Sequence, residues 1–205
     1  MSLSDLSFKL YTDSGLTTLF SGLYQLTHNT DQSDNPQDFT LYLGSNASGK
    51  QLEANSNPGV DDITLTPTDT LDDWAATTAY TLGNRVEPTT PNTYKYECTT
   101  AGTSGGSEPT WPTSAIGDTV VDGTCVWTLV GKRHEITEIT LALSSGALGT
   151  NTAGAALDVA TVINSGVVNA VPIYIRIINA VTTVDSNTGY PEIGVFINEV
   201  VETDS

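Results

Sequence analysis

Apolar and polar side chains alternate along most of this chain with a period of two rather than 3.6. In residues 6–70 the segments LSFKLYT, TLFSGLYQLTHN, DFTLYLG, KQLEAN and DDITLTP carry the pattern, through Phe8 and Leu10, Leu23 and Leu26, then Phe39, Leu41 and Leu43. This predicts strands of a sheet with one buried face. Turn residues separate them at Asp13-Ser14-Gly15, Asp34-Asn35-Pro36, Ser48-Gly49 and Asn57-Pro58-Gly59. The pattern resumes after Gly131 in HEITEITLALS, ALDVATVIN, VPIYIRIINAV and PEIGVFINEVVE. In the third of these, Ile173, Ile175 and Ile177 face one way and Tyr174, Arg176 and Ile178 the other. Residues 153–164 also fit a short helix, with Ala156, Val159, Ala160 and Ile163 at helical spacing, but β-branched neighbours and Gly/Ser/Asn turns favour a strand.

Neither flank carries enough apolar strand to close a two-layer core alone. Together they supply roughly eight strands, a usual number for a sandwich. The expected fold is therefore all-β: a discontinuous β-sandwich of residues 1–70 and 132–205, with a small aromatic-rich β module, residues 71–131, inserted in it. The polar boundaries, 67–73 and 131–133, suit the ends of a tolerated insertion.

Composition changes this picture mainly through charge. Seven Lys and Arg stand against 24 Asp and Glu, a formal net charge of -17. Such an anion lacks the clustered cations that phosphate recognition needs, so neither nucleic acid nor an anionic membrane is an expected partner. The acidity itself reads as solubility and mutual repulsion. No apolar run approaches the ~20 residues that span a bilayer. The opening MSLSDLSFKLYTDSG has no charged region followed by an apolar one, so the expected route out of the cell is inside a particle released by lysis.

Several strings imitate catalytic motifs. Residues 44–50, GSNASGK, match part of a phosphate-binding loop, but Gln51 cannot supply the magnesium-ligating hydroxyl and Asn57-Pro58-Gly59 stops the helix such a loop requires. A Gly/Ser hairpin is the better reading. Residues 102–106, GTSGG, match a nucleophile elbow, yet Pro109 and Pro112 forbid the helix that should follow. His28 and His134, the two possible imidazole bases, lie in polar segments and read as solvated. Asp31, Ser33 and Asn35 have the spacing of a calcium loop, but Pro36 and Tyr42 occupy the positions of its Gly and its Glu. Asp61, Asp62, Asp69, Asp72 and Asp73 read as a solvated acidic linker rather than an irregular oxygen cage. Cys98 shares a strand face with Tyr94 and Tyr96, and Cys125 one with Trp127 and Leu129. Free thiols are the favoured reading, with pairing across adjacent strands as the alternative, and two cysteines without a nearby histidine cannot make a zinc site. No catalytic residue, metal or cofactor is expected, and the chain reads as a non-enzyme.

All three tryptophans and both cysteines fall in residues 74–131. The order Trp74, Tyr80, Gly83, Val86, Tyr94, Tyr96, Cys98, Gly102, Glu108, Pro109, Trp111, Gly123 and Trp127 resembles the small chitin/cellulose-binding type of module that recurs in phage tail and head surface proteins. The flanking segments LYTDSGLTTLFSG and VPIYIRIINAVTTVDSNTGYPEIGVFINEV look, more loosely, like small β-sandwich proteins of tailed-phage particles. Sugars stack their C–H faces on flat rings, so Trp74, Tyr80, Tyr94 and Trp111 are the candidate glycan-binding residues. Trp111, between Pro109 and Pro112, is the preferred exposed platform, whereas Trp127 and Tyr96 are expected to build the core that so small a module needs. The resemblance implies a non-enzymatic structural protein on the exterior of a tailed-phage virion, assembled in the host cytoplasm, with capsid decoration or cement as the leading role. The alternative is a receptor- or glycan-binding protein of the tail or baseplate. The implied partners are copies of itself in a homo-oligomer, expected as a trimer, the major capsid protein or tail proteins, and a host surface glycan.

Overall fold

Valine, isoleucine, leucine and threonine dominate the segments between the turns, and such residues sit best on a half-buried pleated surface. The computed structural model accordingly contains strands and short 3₁₀ turns, with no α-helix among the described residues, 5–29, 31–181 and 192–205. The chain is all-β, with β-sandwich-like antiparallel sheets. Its strands are β1 (Lys9–Tyr11), β2 (Gln37–Gly44), β3 (Lys50–Ala54), β4 (Ile63–Asp69), β5 (Asp72–Asp73), β6 (Ala79–Tyr80), β7 (Arg85–Glu87), β8 (Tyr94–Thr100) and β9 (Gly102–Thr103). They continue as β10 (Thr119–Asp122), β11 (Cys125–Lys132), β12 (Ile139–Ala142), β13 (Leu157–Ala160), β14 (Val162–Asn164), β15 (Val171–Ile177), β16 (Ile193–Ile197) and β17 (Val200–Asp204).

Two compact units emerge. The first takes residues up to Thr68, Glu135–Ala180 and Gly194–Ser205. The second takes Asp69–His134 together with Val181, Glu192 and Ile193. These last three residues were expected in the sandwich. Glu192 belongs to the second unit for an electrostatic reason, because its carboxylate meets the ammonium of Lys95.

In the first unit the sheet order is β1-β2-β15-β12, with two three-stranded sheets, β13-β4-β16 and β14-β3-β17. Strands β2 and β15 pair Leu41 with Ile173 and Phe39 with Ile175. Leu41, Leu43, Ile173 and Ile175 are buried, the one-sided burial that alternation predicts. Within residues 153–164 the chain forms β13 and β14 after a turn at Gly154, and no helix.

Two expectations fail. The segment TLFSGLYQLTHN forms no strand beyond an isolated bridge from Leu19 to Tyr11. Gly22 turns it at φ 89°, Leu23 and Tyr24 are exposed, and its one ring contact is Tyr24 stacked on Phe39 at 3.8 Å. Residues 44–50 join β2 to β3 in different sheets and so make no hairpin, and the Lys50 ammonium is held by Asp204 at 2.6 Å.

The second unit is a sheet of order β10-β11-β8-β7-β5, with the small pair β6-β9. Its core is Trp74, Val86, Tyr96, Cys98, Cys125, Trp127 and Leu129, against which Tyr80, Tyr94, Trp111 and Val120 pack.

Candidate functional site

Strands β8 and β11 run antiparallel with Cys98 opposite Trp127 and Tyr96 opposite Leu129, which gathers the aromatic and sulfur side chains on one face. Trp127 is fully buried, as expected for a core residue. Trp74 is buried as well, with 6% of its surface exposed, so it has no free ring face to offer a sugar. This corrects its reading as a glycan contact. The cause is a carboxylate that the sequence did not single out. Asp122, at the end of β10, accepts the indole N–H of Trp74 at 2.7 Å and that of Trp127 at 3.0 Å on one oxygen. Its other oxygen accepts the Gly105 N–H at 2.7 Å. An indole is a donor only, and a buried carboxylate an acceptor only, so the arrangement satisfies all of them at once.

The backbone closes tightly around that carboxylate. Gly123 turns from β10 to β11 at φ 61°, and a Cβ there would collide with the Thr103 carbonyl oxygen. Only glycine fits both the dihedral and the space.

Trp111 is half-buried rather than a free platform. Its ring packs on Tyr96 with centroids 4.4 Å apart and approaches Trp127 at 5.9 Å. Its indole N–H donates to Glu108 Oε1 at 2.8 Å, while the same carboxylate accepts from the N–H and hydroxyl of Thr89. Burial pushes the Glu108 carboxyl up, but the bonds from Thr89 and Trp111 outweigh it and hold the group below its ordinary range. Tyr80 is also half-buried, meeting Trp127 edge-on at 4.7 Å while its hydroxyl accepts the Ala75 N–H at 2.9 Å. Of the four candidates, Tyr94 opens onto a cavity. That cavity, about 180 Å³, is lined by Tyr94, Thr113, Ser114, Ile116, Leu129 and Lys132, with Ala115 between.

No family model, curated protein or solved structure matches the chain. What the site can do must therefore be read from its own chemistry.

The two thiols are unbridged and buried. Cys98 donates to the Thr100 carbonyl at 3.2 Å and Cys125 to the Asp122 carbonyl at 3.0 Å. Burial pushes both thiols up, which disfavours the nucleophilic thiolate. His28, expected to be solvated, has a side chain only 8% exposed, with Nδ1 3.9 Å from the Asp34 carboxylate. Among the described residues no group of three or more His, Cys, Asp or Glu is placed to hold a metal.

A second set of charges lies within the second unit, at Asp69, Glu87, Lys95, Arg133 and Glu192. Lys95 is fully buried against Glu192, whose other carboxylate oxygen accepts the His134 N–H at 2.9 Å. Arg133 is shared between Asp69, at 2.7 Å, and Glu87. Burial pushes the Glu87 carboxyl up to about 7, with Arg133 opposing the rise and Asp69 adding to it. No sequence motif announces these pairs, because their partners come from segments far apart in the chain.

Proposed function

We propose that this chain is a non-enzymatic structural protein of the exterior of a tailed-phage particle, acting as capsid decoration or cement. It associates with copies of itself, as a trimer, and with the major capsid protein. The observation that carries the reading is the outer strand β16 in the sheet β13-β4-β16. Its adjacent residues Val195 and Phe196 point to opposite faces, and both are exposed, Phe196 by 55%. An edge strand with apolar groups on both faces is a template for another chain, which soluble monomers normally blunt with charge or proline. The net charge of -17 keeps free copies apart until a matching surface overrides the repulsion. The resemblance of residues 74–131 to modules of phage surface proteins supplies the setting.

The alternative, a tail or baseplate protein that binds a host glycan, is favoured by the cavity at Tyr94. It gains nothing from Trp74, which is enclosed, and little from Trp111 and Tyr80, each packed on the core.

Immunogold electron microscopy of purified virions, with antibody to this chain, separates the two. Label spread over the head supports decoration. Label confined to the tail end supports adhesion, and purified particles without label contradict both.

A further inference from the structure

We propose that the cavity beside Tyr94 and Lys132 binds a small ring-bearing monocarboxylate, a site that goes beyond the structural reading above and does not depend on it. A β-bulge in β11 sets the direction of Lys132. On a regular strand Lys132, three residues after Leu129, would point to the opposite face. The pairing of β11 with β8 shifts between Leu129 and Gly131, so that Leu129 lies opposite Tyr96 and Lys132 opposite Tyr94. Tyr94 and Tyr96 share a face, and the extra residue therefore swings Lys132 onto the face of Leu129, where Tyr94, Leu129 and Lys132 line one cavity.

The lysine is unusual in its surroundings. Lys50, Arg85, Lys95, Arg133 and Arg176 each pair with a carboxylate, and Lys9 also has a partner. Among the described residues the Lys132 side chain makes no ion pair or hydrogen bond, although the chain holds 24 carboxylates. The nearby Asp118 carboxylate is engaged by the Ala115 N–H at 2.9 Å.

The rest of the cavity defines the body of the ligand. Leu129, Ile116 and the Tyr94 ring are apolar walls, and Thr113 and Ser114 bring hydroxyls. The wall segment is held in place: the Tyr96 hydroxyl donates to the Pro112 carbonyl at 2.8 Å, and the Gly117 N–H to the Leu129 carbonyl at 2.8 Å. A cavity of about 180 Å³ accepts one six-membered ring and a small substituent, since ~150 Å³ holds benzene. A single ammonium without arginine matches one carboxylate rather than a phosphate or a run of acids, which the -17 body repels.

Sodium benzoate and sodium glucuronate, titrated separately into the ¹⁵N-labelled full chain, test this, with benzyl alcohol and glucose as neutral counterparts. At least one acid should shift the amides of residues 113–116 and Lys132 saturably. Lys132→Gln should weaken that binding about tenfold, the scale of one charge-assisted hydrogen bond, and Lys50→Gln should leave it unchanged. Preference for benzoate points to a free aromatic acid, and preference for glucuronate to the acidic end of a glycan. The proposal is overturned if neither acid binds, if the neutral counterparts bind equally well, or if Lys132→Gln binds as tightly in a protein whose remaining spectrum is intact.

Discussion

The two units of this chain solve the same problem with different materials. The first buries mainly aliphatic side chains, Leu43, Leu52, Ile63, Ile163, Ile173 and Val200, with Phe8 and Tyr11 as its aromatic members. The second has less chain with which to enclose a core, and small domains bury a smaller fraction of their surface. It relies on Trp127, Tyr96 and Trp74, each large, and on polar groups that hold those rings in place. Many small domains add a disulfide or a metal at this point. Here the two thiols stay unbridged, and the fastening is a buried carboxylate with three N–H donors plus the pairs Lys95–Glu192 and Arg133–Glu87. Aromatic richness in the second unit is thus first a matter of stability, while Tyr94 lies at a cavity.

Breaking the polar fastening should have the largest effect. Asp122→Ala leaves two buried indole N–H groups and one amide unsatisfied, and should destabilise the second unit by about 3–5 kcal/mol in denaturant unfolding followed by tryptophan fluorescence. Leu43→Ala makes the matching cut in the aliphatic core. It should cost about 3 kcal/mol, read as loss of amide-exchange protection in β2 and β15. The third perturbation is of pH. The Glu87 carboxyl sits near 7 when folded against an ordinary 4.5, so the folded state binds the extra proton between those values. Its contribution to stability is present below pH 4.5 and is lost as pH rises through about 7. With the attraction of Arg133 already included, this amounts to on the order of 3 kcal/mol, and Glu87→Gln should flatten the midpoint-versus-pH curve over that window. Smallest on stability is Phe196→Asp, which places a charge on the exposed edge. It should leave the unfolding midpoint within about 0.5 kcal/mol and abolish self-association in analytical ultracentrifugation.

The same contrast explains what could be read from the residues alone. In the first unit, alternation marks β2 and β15 correctly because one face of each is buried and the other is not. It misleads in TLFSGLYQLTHN, where Leu23 and Leu26 enter the pattern but the segment finds no partner strand beyond the bridge at Leu19. In the second unit the large aromatics signal a compact module, yet ring count does not distinguish a platform from a core. Asp122 was invisible for a local reason. Followed by Gly123 it has the signature of a tight turn, and turn acids are ordinarily solvated. Its burial depends on Trp74 and Gly105 arriving from other segments. The orientation of Lys132 was equally hidden, since a bulge changes which face a residue occupies without changing its neighbours in sequence.

The central claim, that Trp74 and Trp127 form a core around Asp122, is tested most directly by hydrogen exchange at the three indole N–H groups. Slow exchange is predicted at Trp74 and Trp127, faster exchange at half-buried Trp111, and loss of protection at Trp74 and Trp127 in Asp122→Ala. Rapid exchange at all three in the native protein would show the rings exposed and would contradict the account.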